Sequence, residues 1–404
     1  MAGTPEHTTT KVVIVGAGVA GLTLGNLLQR NGVACVVLEK HSRAYVEQRR
    51  RAGTIDAFGV RMFRAWGLES ALEEDDPVPH HEPAFHLDGV AMPIGADEAD
   101  EAGETGGEGD GDESRYCPQE VLVRNLTELF LHGGGDLRHE AADVRLEDIT
   151  GEHPVVRYRD ADGAARVVHG ELIAGCDGFH GVSRRTIPAS ALTEYTHTYG
   201  YSWLSVLAAV PADPSGMAIH PRGLAGMIPR GPRASRIYLQ CAADDTPGHW
   251  PDERVWSELE ARFGTPLRHG EILDRRIVPL RGVVLEPMHH GSLHLLGDAA
   301  HLVPPMSAKG IHLALHDAEV LARAVIHHAE TGDRSLLDGY SETCLPHIWN
   351  YQAFATWITD LMHDAGDPGP AGAFRRQVAR AELRRQFTSE AANRLFGELT
   401  SGVN

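Results

Sequence analysis

The 404-residue chain has little cysteine, no long apolar run and a shortage of positive charge. Its five cysteines, Cys35, Cys117, Cys176, Cys241 and Cys344, include no CxxC pair. That argues against a zinc ribbon or disulfide framework and for reduced thiols, and no metal site is expected. No stretch approaches the roughly 20 apolar residues of a membrane helix. The first ten residues lack the basic and apolar parts of a signal peptide, so a cytoplasmic address is expected. Lys and Arg number 37 against 56 Asp and Glu, a net charge of −19. Nucleic acid is therefore a poor partner, because its phosphates would be repelled. Nine of the acids crowd between Asp97 and Glu113 among Gly and Ala. Such a stretch has no apolar surface to bury, and residues 96–114 read as a disordered surface insertion.

What remains is patterned. The length implies two or three packed subdomains. The run KVVIV at Lys11–Val15 reads as a buried parallel strand. Gly16-Ala17-Gly18-Val19-Ala20-Gly21 follows at once, then apolar residues at helical spacing through Asn31, then a second strand, Val33–Leu38, ending at Glu39. Helices are expected over 56–66, 119–131, 252–263 and 311–328. A further helix is expected over 340–363, broken at Pro346, and a last one over 374–395. Strands are expected over 144–147, 155–158, 171–174 and 292–296. Between Tyr199 and Cys241, short apolar runs punctuated by Gly and Pro read as an antiparallel sheet in a second domain.

GxGxxG between a strand and a helix has a mechanical meaning. Gly16 permits the tight turn, Gly18 lets a pyrophosphate approach the backbone, and Gly21 lets helix and strand pack closely. The helix N-terminus offers N–H groups and the positive end of its dipole to the anion. Glu39 is placed to accept hydrogen bonds from an adenosine ribose. The pattern implies a dinucleotide without separating NAD from FAD.

Further segments narrow the choice: RRRAG at Arg49, AGCDGFHGVSRRTIP at Ala174, HPRG at His220, PLRGVVLEPM at Pro279 and GDAAHLVPPMSAKGIHLA at Gly297. In order and spacing the chain resembles the class A flavoprotein monooxygenases of the p-hydroxybenzoate hydroxylase type, over nearly its whole length. The resemblance implies an α/β architecture: a discontinuous Rossmann-like FAD-binding domain (residues 1–186), a β-sheet substrate domain (187–290) and a region of FAD loop and C-terminal helices (291–404). It implies FAD as cofactor, NADPH and O2 as co-substrates, a small aromatic acid as substrate and a homodimer. NADPH reduces the flavin, O2 adds to it, and a C4a-hydroperoxide passes its distal oxygen to an electron-rich ring. Asp177 of the DG motif and Asp298 of the GD motif then fall to FAD, with Arg49, Arg51, Ala52, Gly53 and Gln119 on its phosphates and ribityl chain. Backbone N–H groups at Gly310 and Ile311 would face the flavin ring. Lys40, His41, Tyr45, His180 and Arg281 match positions that hold NADPH. Arg230 matches the arginine that grips the substrate carboxylate and Tyr238 a second pocket position. Arg236 matches the arginine that influences flavin movement, and Pro305 the residue whose carbonyl faces the reacting ring.

Departures from the family pattern bear on the substrate. Met217 stands where the family has the first tyrosine of a proton relay, and the second falls near Arg385 or Gln386 with no tyrosine nearby. Ile228 replaces a carboxylate-binding serine, Met306-Ser307 a small loop pair, and His312 an asparagine near the ring. A phenol, with a pKa of about 10, needs a base to become phenolate. Two expectations follow. The substrate is an amino- or aminohydroxybenzoate activated by nitrogen, or His312 or another of the 24 histidines replaces the relay. Rival readings are a halogenase or reductase on the same scaffold, though the halogenase element WxWxIP is absent, or an FAD-fold binding protein without catalysis.

Overall fold

The computed structural model describes residues 6–48, 53–73, 84–92, 114–364, 366–367 and 369–402. The chain divides into two compact units: residues 1–74, 112–197 and 282–353, and residues 75–111, 198–281 and 354–404. The acidic stretch 97–113 and the residues Arg49, Arg51 and Ala52 lie outside the described residues. None of the described helices is long and apolar enough to cross a membrane.

The first unit is built on a six-stranded sheet in the order His289–His290, Leu293–Leu295, Leu172–Gly175, Val12–Val15, Cys35–Leu38, Asp136–Arg138. All its pairings are parallel except the first. Val12 to Val15 are buried without alternation, as a strand covered on both faces must be. The Val19–Arg30 helix begins inside the glycine motif, with Gly18 as N-cap. It packs on the Gly310–Thr331 and Gln119–His132 helices. A second sheet runs Glu6–Thr9, Ala165–His169, Val155–Arg159, Ala142–Glu147. Its first strand, EHTT, carries no apolar alternation, which is why the sequence reading passed over it.

The second unit carries an antiparallel sheet through Thr193–Ala208, Ser235–Ala242, Gly223–Pro229 and Gly216–His220; Ala84–Leu87 adds to it in parallel and Val90–Met92 antiparallel to that. The Asp252–Phe263 helix turns Val255, Trp256, Leu259 and Phe263 onto Leu204, Val206, Ile237 and Leu239, giving one closed core. Arg262 is buried on the same helix. It donates to the carbonyls of Leu224 (2.7 Å) and Gln240 (3.0 Å) and pairs with Glu258 at 3.2 Å, so its charge is compensated.

Two expectations near the C-terminus are corrected. Pro346 does not break its helix, which runs unbroken over Tyr340–Met362. The missing hydrogen bond costs about 3 kcal/mol. The burial of Cys344, Ile348, Tyr351, Phe354, Ala355 and Ile358 at helical spacing offsets it. The expected single last helix is two, Pro370–Thr388 and Glu390–Ser401. Ser389 divides them: its backbone is extended and its side chain accepts from Ala392 N, capping the second helix. Burial also pushes four thiols up: Cys35 and Cys241 to about 12, and Cys176 and Cys344 far above their ordinary value.

Leu239 is fully buried in the middle of the second unit's sheet. Leu239→Ala should lower unfolding stability by about 2–5 kcal/mol through the cavity it leaves, read as a lower urea midpoint with unchanged slope.

Candidate active site

In the first unit the glycine motif is held by contacts that admit no side chain. Gly16 adopts φ +108°, and a Cβ there would lie 2.4 Å from the Cys176 carbonyl oxygen. A Cβ on Gly21 would lie 2.0 Å from the Gly16 oxygen. A Cβ on Gly18 would meet nothing within 4 Å, so the open side of the loop is at the helix N-terminus. Glu39 is buried, and its two oxygens accept from Ala17 N and His41 N, both at 2.9 Å. It fixes the loop and leaves a lone pair on each oxygen.

The DG motif sits beside this loop. Asp177 Oδ2 accepts from Ser183 N at 2.9 Å, while Oδ1 is buried and takes no hydrogen bond among the described residues. Burial raises this carboxyl's pKa despite the Ser183 bond. The GD motif forms a short turn, Gly297–Ala299, in which Asp298 is half-buried. The turn is anchored by Asp317, whose Oδ2 accepts from Gly297 N (2.9 Å) and meets His301 Nε2 (2.7 Å). Gly53 and Gln119 are brought together: Cys117 N donates to Gly53 O at 2.6 Å, and Pro118 caps the helix that Gln119 opens.

Beyond the GD turn, Pro305 is exposed, Ala308 holds the left-handed φ of +53°, and Lys309 caps the Gly310–Thr331 helix with Gly310 exposed and Ile311 half-buried behind it. Lys309 turns inward, with Nζ 2.5 Å from Asp56 Oδ2. His312 Nδ1 lies 2.8 Å from the same oxygen, and His312 Nε2 lies 2.8 Å from His347 Nε2. Burial pushes the Asp56 carboxyl up. The hydrogen bond and charge of His312 and the ammonium of Lys309 outweigh it, leaving the pKa below its ordinary value. Among the expected NADPH residues, His41 lies against Tyr45 with ring centroids 4.2 Å apart, and Lys40 and His180 are exposed.

In the second unit, the sheet register aligns the expected substrate residues. Met217 pairs with Gly226, Gly226 with Tyr238, and Tyr238 with Ser205. Met217 Sδ lies 2.6 Å from where a Gly226 Cβ would stand, and Tyr238 Cδ2 3.7 Å from it, so the absent side chain makes room for the Met217 sulfur. Ile228 pairs with Arg236 in the next row. Arg230 N closes the following turn onto Ala234 O at 2.8 Å. Arg236 is buried, with Nη1 3.4 Å from Ser205 Oγ and 3.9 Å from Asp274 Oδ2. Arg281 is half-buried in this unit. Burial raises the Tyr238 hydroxyl pKa, against the charges of Arg236, Arg230 and Arg276. Behind Tyr238, at 4.7 Å between ring centroids, lies Trp203, whose Nε1 donates to His363 Nε2 at 2.7 Å.

A model of an FAD binding domain matches residues 9–355. A p-hydroxybenzoate hydroxylase of Acinetobacter baylyi is 33% identical over 400 residues, 98% of this chain and 95% of that protein. This chain belongs to the class A FAD-dependent aromatic monooxygenases. A probable NADH-specific resorcinol 4-hydroxylase of Rhodococcus jostii is 28% identical over 83% of the chain, which spans 62% of that relative. The solved p-nitrophenol 4-monooxygenase of Pseudomonas putida shares the fold, with a TM-score of 0.78 at 19% identity over 99% of this chain and all of that one.

The monooxygenase has a nucleotide cradle that fits FAD. Gly18 leaves room for a pyrophosphate at a helix N-terminus, Glu39 keeps lone pairs for a ribose, and Asp177 Oδ1 is a buried acceptor awaiting a donor. The sequence reading missed Lys309 and Asp56 as a pair and did not see His347, Asp317, Trp203 or His363. A carboxylate three residues before a helical glycine marks Asp56 as an N-cap, and it accepts from Gly59 N at 3.1 Å. Nothing local announces that Lys309 and His312 share it.

Two measurements test this geometry. Gly21→Val should give colourless protein that takes up no FAD, read by visible absorption, while Glu39→Gln should weaken FAD binding by about 1.5–3 kcal/mol as a charge-assisted hydrogen bond is lost. Burial holds His363 neutral, its pKa down to about 4 from an ordinary 6.5. Below about pH 6.5 the unfolded chain therefore binds a proton that the folded one refuses, and stability falls as pH drops towards about 4. His363→Gln should flatten that acid-side decline by up to about 3 kcal/mol, measured by urea denaturation at several pH values.

Proposed function

We propose that this monooxygenase hydroxylates a substituted hydroxy- or aminobenzoate, with NADPH as reductant. Bound FAD supplies the redox chemistry, taking a hydride and delivering one atom of O2 to the ring. The protein's part is to bind, orient and exclude water. In this reading Gly16, Gly18, Gly21, Glu39, Asp177 and Asp298 hold FAD, with Arg49, Arg51, Ala52, Gly53 and Gln119 on its phosphates and ribityl chain. The N–H groups of Gly310 and Ile311 face its ring, bordered by Pro305. Arg230 grips the substrate carboxylate with paired hydrogen bonds, as a planar guanidinium can. Arg236 adds positive potential. Lys40, His41, Tyr45, His180 and Arg281 hold NADPH, with the basic Lys40 and His41 suited to its 2′-phosphate. A homodimer is the expected assembly.

The observation that carries the substrate assignment is the row Met217–Gly226–Tyr238. Its first member is a thioether, which accepts no proton from a phenol. Tyr238 is pushed towards its neutral form by burial, which suits it to donate a hydrogen bond. A ring carrying an amino group is electron-rich without losing a proton and needs no base in that row.

The test is turnover on a panel of hydroxy-, amino- and aminohydroxybenzoates, with products identified by mass spectrometry. The expected outcome is substrate-stimulated NADPH oxidation coupled to hydroxylation of an amino-substituted acid. Efficient conversion of p-hydroxybenzoate alone would refute the assignment.

A further inference from the structure

The proton relay that the family places on two tyrosines is missing here, yet the first unit contains a buried chain of proton-carrying groups. Lys309 Nζ donates to Asp56 Oδ2 at 2.5 Å, His312 Nδ1 approaches the same oxygen at 2.8 Å without the alignment of a hydrogen bond, and His312 Nε2 lies 2.8 Å from His347 Nε2. Three elements contribute: Asp56 caps the Ala57–Ala65 helix, Lys309 and His312 open the Gly310–Thr331 helix, and His347 lies on the Tyr340–Met362 helix. Lys309, Asp56 and His312 are buried, and His347 is half-buried.

We propose that these four side chains form a proton relay between the Pro304–Ile311 loop and the half-buried imidazole of His347. The inference rests on the hydroxylase reading, because that loop is the one assigned to the flavin ring. The contacts set the protonation states. The negative charge of ionised Asp56 beside Nδ1 favours the His312 tautomer with its proton there, leaving the Nε2 lone pair. The 2.8 Å approach of the two Nε2 atoms then requires a hydrogen on His347 Nε2.

Hydroxylation consumes one proton for each NADPH oxidised, with O2 ending as one aromatic hydroxyl and one water. The relay delivers that proton as follows. Lys309, itself a residue of the loop, releases one from Nζ. As the His312 imidazole turns into line, Asp56 Oδ2 takes its Nδ1 proton and hands a proton on to Nζ. His312 Nε2 takes the Nε2 proton of His347, and His347 binds a new one at Nδ1. Lysine and carboxylate finish as they began, and each imidazole finishes as its other tautomer.

The charged and titratable surroundings suit transient carriage rather than storage. Facing His347 are His312, His316 and Asp317 from the Gly310–Thr331 helix and Asp56 from the helix it caps. Tyr351, one turn along, meets both imidazoles at an angle, with ring centroids 4.5 and 4.9 Å away, and Phe58 lies against His312 at 4.7 Å. Burial, with the neighbouring histidines, pulls His347 down to about 3, so a proton there moves on. Burial also lowers Lys309 against the pull of Asp56, which makes its ammonium a readier donor.

The test uses the FAD-loaded protein with His347→Gln, His347→Ala and His312→Asn. FAD content and substrate-stimulated flavin reduction should match the parent protein. The value of kcat should fall roughly 10- to 100-fold, the range of a lost general acid–base, with a larger solvent deuterium isotope effect. Added imidazole should restore His347→Ala. Independently of turnover, 15N NMR of the histidine-labelled parent should show coupling between two imidazole nitrogens that vanishes in either variant. Parent-like kcat and pH profile in both His347→Gln and His312→Asn would overturn the relay. So would loss of FAD from both, which would mark the cluster as structural, or absence of the coupling. If instead the parent forms no hydroxylated product from any aromatic acid while the coupling is present, it is the hydroxylase reading that fails.

Discussion

The first unit depends on one close approach, the passage of the Gly16 backbone against the carbonyl of Cys176. A methyl group placed there would fall 2.4 Å from that oxygen. The contact brings the ends of two parallel strands, Val12–Val15 and Leu172–Gly175, together at their carboxyl edge. One strand leads into the glycine loop and the other into Asp177. Ligands of open α/β sheets gather at this edge because the loops there are free to diverge while the strands stay rigid. Glu39 reinforces the arrangement from the neighbouring strand, gripping Ala17 and His41 through one carboxylate.

A second constraint is the burial of charge. Asp56 carries three jobs at once: it caps a helix through Gly59 and receives Lys309 and His312. An isolated ion at that depth would be strongly unfavourable, and the pairing removes the penalty only while the geometry holds. The loop containing the strained Ala308 is thereby tied, through Lys309, to the cap of a helix 253 residues earlier in sequence, which limits how it can move. Asp317 does the same for the GD turn through Gly297 and His301. Both turns are therefore held by buried carboxylates.

Much of this was legible beforehand. Uniform apolar runs announced the parallel strands, and glycine spacing announced the nucleotide loop, because both encode local sterics. The alternating register that sets Met217 beside Gly226 and Tyr238 was implied only by family analogy, since pairing partners are a long-range property. Pro346 misled because a local rule was overridden by burial along the rest of its helix. Ser389 misled in the opposite sense: the Arg-rich stretch kept a helical pattern, and a single side-chain cap divided it. The chain Lys309–Asp56–His312–His347 was invisible, although His312 stood out, because its members come from three separate helices.

The state of the thiols has a consequence for endurance. Flavin enzymes that activate O2 release some hydrogen peroxide whenever oxygen is consumed without product. Peroxide attacks thiolate, not thiol. Burial raises the pKa of Cys35, Cys176, Cys241 and Cys344, which favours the less reactive thiol form at each. The same burial that packs the interior thus shields it from its own side reaction.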